Sequence, residues 1–64
     1  MTLPTERYRA VVAAGRLMRD LLDPKETPKV PRAIRQRAFR VLRHYPWDGE
    51  LDMAAEKAPE VFHK

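Results

Sequence analysis

The chain has 64 residues, 13 basic against 9 acidic side chains for a net charge of +4, and no cysteine. That length allows one small domain with a thin core, so self-association into a homodimer is an expected way to gain further burial. Disulfides and thiolate metal sites are excluded, no apolar run reaches the roughly 20 residues that cross a bilayer, and the opening Met1-Thr2-Leu3-Pro4-Thr5-Glu6-Arg7 does not read as a secretory signal, which predicts a cytoplasmic protein with no membrane contact.

The first predicted element is a helix over about 5–22. Alanines and long straight-chain residues favour it, Pro4 is tolerated in a first turn, and Thr2 or Thr5 is the expected cap. At 100° per residue Tyr8, Val11, Val12, Gly15, Met18, Leu21 and Leu22 share one broad arc, with Arg9, Arg16 and Asp20 opposite. Gly15 on that arc reads either as a helix-weakening defect or as a point of close approach where no side chain fits. Asp23-Pro24 ends the helix.

Residues 23–31 carry three prolines in nine positions, which predicts an extended, stiff linker. A second helix is expected over about 31–44, with proline at its first position and Pro46 beyond its end. Ile34, Ala38, Val41, Leu42 and Tyr45 fall on its apolar face, Phe39 at the edge of that face, and Arg32, Gln36, Arg40 and Arg43 on the other, flanked by Arg37 and His44. Trp47-Asp48-Gly49 reads as a turn. A short third helix is expected near 53–58, capped by Asp52 and closed by Pro59, with Val61 and Phe62 returning to the core. Nothing alternates with period two, so the expected fold class is all-α: two main helices joined by a Pro-rich connector, plus a short third.

Chemistry-bearing residues are few. There is no serine, cysteine or asparagine, and Thr2, Thr5 and Thr27 read as cap or linker residues. Two histidines and two glycines supply neither a convincing metal site nor a phosphate loop. No catalytic group, cofactor, metal or small-molecule substrate is therefore expected, and the chain does not read as an enzyme.

Charge distribution gives the positive signal. Residues 27–47 hold Lys29, Arg32, Arg35, Arg37, Arg40 and Arg43 with no acid, whereas 48–64 hold Lys57 and Lys64 against Asp48, Glu50, Asp52, Glu56 and Glu60. Arginines on one helix face form a ridge of forked donors suited to carboxylates or phosphates. The expected partner is another protein, or a second copy, bound through Arg32, Gln36, Arg40 and Arg43, with Tyr45 and Trp47 as aromatic anchors. The alternatives are nucleic acid held by the same ridge, though the connector is too long for a helix-turn-helix, and a structural homodimer in which the arginines pair with the acidic tail. His44-Tyr45-Pro46-Trp47 also has a plainer reading, as a C-terminal anchor with both aromatics packed on the core and His44 near the helix dipole.

At Met1-Thr2-x-Pro4-x-Glu6-Arg7-x-Arg9-Ala10, Pro31-Arg32-x-x-Arg35, Leu42-Arg43-His44-Tyr45-Pro46, the acidic segment with Leu51 and Asp52, and Pro59-Glu60-Val61-Phe62, the chain resembles an uncharacterised family of short bacterial proteins. The resemblance implies a bacterial cytosolic protein and assigns no activity or site residue.

Overall fold

The computed structural model describes residues 2–64, and these form three helices: α1 Pro4–Leu22, α2 Arg32–Leu42 and α3 Asp48–Lys57. By contacts the chain divides into two compact units within α1. One takes the chain up to Ala13 together with Pro46–Lys64, the other Ala14–Tyr45. Among the described residues the buried apolar side chains are Ala38, Leu51 and Ala55, and Gly15 is buried on α1.

In the first unit the start of α1, α3 and the C-terminal tail are tied together. Pro4 occupies the first helical position, and Glu6 Oε1 accepts the backbone N–H of Leu3 at 3.0 Å. The expected threonine cap is thus replaced by a carboxylate reaching back from the first turn, where it also meets the positive end of the helix dipole. Thr2 serves Arg7 instead. Its hydroxyl accepts from Arg7 Nε at 3.2 Å, while the same guanidinium donates to the carbonyls of Thr2, Glu60 and Val61. The His63 backbone N–H donates to the Pro4 carbonyl at 3.1 Å. The tail does fold back, with Phe62 half-buried and Val61 left exposed.

The third helix starts five residues before the expected Met53. Trp47 is its N-cap residue, and its backbone N–H donates to Glu50 Oε1 at 3.2 Å. Trp-x-x-Glu does at this end what Asp52 was expected to do later, and Asp48 and Glu50 favour the helix by lying in its first turn. Gly49 is helical, with the Trp47 ring lying where its side chain would be. Asp52 sits inside the helix and accepts a hydrogen bond from the Tyr8 hydroxyl at 2.5 Å, with Lys64 Nζ 3.5 Å from its other oxygen.

That contact predicts a pH dependence. The Tyr8 hydrogen bond holds the Asp52 carboxyl below its ordinary value, outweighing partial burial, and Lys64 adds to the lowering. The same bond, then burial, then the charges of Asp52 and Asp48, hold the Tyr8 phenol above its ordinary value. A lowered carboxyl stabilises the fold above its unfolded value, about 3.9, and that contribution is lost as pH falls through the folded value. A raised phenol stabilises the fold below about pH 10, and its contribution is lost as pH rises through the folded value. Thermal melts from pH 2 to 11 are expected to show Asp52→Asn with a shallower acid limb than wild type, and Tyr8→Phe with a shallower alkaline limb. Parallel curves would sink this assignment.

In the second unit the end of α1 and α2 run antiparallel. Gly15 meets Tyr45, Met18 and Leu21 share a groove with Ile34, Ala38 and Val41, and Leu22 shares another with Arg32 and Gln36. The seam is narrow and centred on Ala38. Ile34 and Val41, expected in the core, are 36% and 51% exposed because the apolar arc of α2 is wider than that seam. The second helix also stops at Leu42, two residues short of His44, with Arg43 as its C-cap.

Residues 23–31 are not the expected extended linker but a run of turns. Asp23 Oδ1 accepts the Lys25 backbone N–H at 2.9 Å, and the Thr27 backbone N–H donates to the Asp23 carbonyl at 3.0 Å. The Thr27 hydroxyl donates to the Asp20 carbonyl at 2.6 Å. Side-chain capping of backbone groups outcompetes the extended preference of the prolines.

Gly15 is a point of close approach, against the Tyr45 ring. An added Cβ would lie 2.8 Å from Tyr45 Cε1. Alanine in a helix interior normally gains about 1 kcal/mol over glycine, whereas forcing a packed ring aside costs about 1–3 kcal/mol. Gly15→Ala is therefore expected to destabilise, or at best to leave stability unchanged. In a Tyr45→Ala background the same substitution is expected to stabilise by about 1 kcal/mol. Denaturant melts of the four variants of this cycle measure the difference. A full helix gain in the presence of Tyr45 would contradict the contact.

Candidate functional site

The face singled out from the sequence lies on α2, and its geometry follows from helical spacing. Arg32, Gln36, Phe39, Arg40 and Arg43 recur at intervals of three and four and so form one ridge. Arg32, Gln36, Phe39 and Arg40 line a groove with Leu22 and Arg35. Arg32, Gln36, Arg40 and Arg43 are exposed, and among the described residues none of the four makes a side-chain hydrogen bond or an ion pair. No carboxylate on α2 itself offsets them. Phe39, at 55% exposure, stands among these donors with Leu22 beside it in the groove.

The remaining arginine at the groove has a different role. Arg35 donates to the Leu21 carbonyl at 2.7 Å and to the Thr27 carbonyl. These are a carbonyl in the last turn of α1 and one in the turns that follow, and the fork of the guanidinium satisfies both at once. Its place on the inner flank of the helical wheel, away from the Arg32–Gln36–Arg40 row, is the sequence signal that separates it from the ridge.

The two aromatic anchors part company. Tyr45 is half-buried with its ring against Gly15, as the plainer reading of the aromatic cluster holds, so its surface is committed to packing. Trp47 is 65% exposed and belongs to the other unit. The expectation that it packs on the core is overturned, because Trp47 is held as the N-cap of α3 with its ring over Gly49 rather than in the interior. Phe39, placed from the sequence only at an apolar edge, is the aromatic that stands among the arginines.

Among the described residues no three His, Cys, Asp or Glu side chains group as metal ligands, and no helix is long and apolar enough to cross a membrane. What the fold defines is a small all-α protein of three helices with an exposed cationic helix face. Comparison with protein-family models, with curated proteins and with solved structures finds no match for this chain.

Proposed function

We propose that the chain is a non-enzymatic, cytoplasmic interaction module, an adaptor or regulator that binds an acidic partner protein through the exposed face of α2. The observation that carries the reading is the exposed Phe39 set among the unpaired Arg32, Arg40 and Arg43. An aromatic ring surrounded by guanidinium groups is a common make-up of a protein-binding hot spot. Leu22 in the groove gives an apolar side chain of the partner somewhere to sit, and the excess positive charge selects acidic neighbours around it. Nucleic acid would use the arginines and the ring but gains little from the aliphatic Leu22, which favours the protein reading.

The test is affinity capture with the whole chain, with and without nuclease, comparing wild type with the Arg32→Ala, Arg40→Ala, Arg43→Ala triple variant. Proteins held by wild type in nuclease and lost by the triple variant are the expected result. Retention by the triple variant contradicts the reading. Capture that vanishes with nuclease replaces it with nucleic-acid binding.

A further inference from the structure

A second surface lies on the other flank of α2, and its chemistry differs from that of the arginine ridge. Leu17 is 59% exposed on α1, and Ile34 and Val41 are exposed on α2. Between them Met18 and Leu21 line a groove with Ala38. The result is a continuous apolar strip along the antiparallel pair. At one level its two rims carry opposite charges, with Arg16 one turn before that level on the α1 side. Arg37 lines the strip on the α2 side. Asp20, three residues after Leu17, follows the far flank of α1 by helical spacing. Neither side chain makes a hydrogen bond or ion pair among the described residues.

The register fixes how such rims can be matched. Leu21 and Leu22 stand level with the first turns of α2, where Arg35 takes the Leu21 carbonyl. Gly15 stands level with Tyr45, beyond the end of α2. Asp20 therefore stands near the level of Arg37. A two-fold axis parallel to the helices lays each α1 over the partner's α2 and sets Asp20 of one copy against Arg37 of the other, twice. A two-fold axis across the helices would instead oppose like charges, Arg37 to Arg37. Since an isologous contact must be self-complementary, only the first arrangement suits this strip. We propose that the occupant of the strip is a second copy of this chain, packed with α1 over the partner's α2 about a two-fold axis parallel to the helices. The arginine ridge on the other flank stays open in that dimer, so the two surfaces act independently.

The strip is small against the 20–30 residues a side of a standard interface, so the expected dimer is weak, with a Kd of about 10–100 µM. Sedimentation equilibrium from about 5 µM to 1 mM, spanning that Kd, is expected to show a monomer–dimer equilibrium, and Leu17→Glu is expected to abolish it. Helicity by circular dichroism identifies any variant that fails to fold. The charge pair gives an independent test in exposed or half-exposed positions. Asp20→Arg alone and Arg37→Asp alone are each expected to weaken the dimer about tenfold, since each turns two attractions into repulsions. The double variant is expected to recover it. A monomer throughout the range overturns the proposal, as does a dimer that Leu17→Glu leaves intact. Failure of the double swap to rescue rejects the parallel axis.

Discussion

Replacing Arg35 by alanine is expected to cost about 2–4 kcal/mol and to lower the melting temperature by roughly 10–30 °C. The guanidinium makes two charge-assisted hydrogen bonds, to the carbonyls of Leu21 and Thr27. Each such bond contributes about 1.5–3 kcal/mol net, and partial exposure brings the pair to the bottom of its summed range or somewhat below it. The consequence reaches beyond the carbonyls themselves. Arg35 connects α2 to the end of α1 and to the turns between them, so losing it frees the connector as well as the seam. Lysine is expected to recover less than half of the loss, since one ammonium on a flexible stem cannot bridge both oxygens as a planar fork does. Arg32→Ala, one turn away on the exposed ridge, is expected to stay within about 0.5 kcal/mol of wild type. Chemical denaturation of the three variants checks the order. Equal stability of Arg35→Ala and Arg32→Ala would remove the clamp.

The second large effect is on binding and leaves stability alone. Removing Arg32, Arg40 and Arg43 together is expected to weaken the partner complex about 3- to 150-fold, the sum of three exposed charge contacts at about 0.2–1 kcal/mol each. Phe39→Ala is expected to cost a comparable factor by itself, since a central aromatic is worth about 2 kcal/mol or more at a hot spot. Salt separates the two contributions. Raising ionic strength shortens the screening length to a few ångströms near 1 M, so wild-type affinity should fall toward that of the triple variant. The Phe39→Ala deficit should persist at every salt concentration. A salt-independent arginine contribution, or a salt-sensitive Phe39 contribution, would contradict the division of labour.

Much of this was legible in the sequence, in an uneven way. The apolar arc of α1 from Tyr8 to Leu22 is regular, and its members are half-buried or buried as expected, apart from the choice of cap. The all-α class and the cationic face of α2 follow from the same spacing. The start of α3 did not, because Asp48-Gly49 is a strong turn signal and the cap that overrides it comes from Glu50, one turn ahead. The connector departs from its sequence pattern for a similar reason. Its prolines favour extension, and the hydroxyl of Thr27 and the carboxylate of Asp23 fold it into turns through local backbone contacts. Ile34 and Val41 carry the pattern of core residues, yet pattern reports polarity and not what stands opposite, and here the seam is only as wide as Ala38. Arg35 and Arg32 are one residue type on one helix. Only their places on the wheel tell a clamp from a contact.

The most direct test of the binding face is a titration of the isotopically labelled chain with an acidic amphipathic peptide, glutamate-rich with a leucine or tryptophan on one face, followed by amide chemical shifts. Shifts concentrated at Arg32, Gln36, Phe39, Arg40 and Arg43, and absent from the Arg32→Ala, Arg40→Ala, Arg43→Ala variant, are the expected result. Shifts confined to α3 and the tail, or persisting in the triple variant, would contradict the assignment of binding to this face.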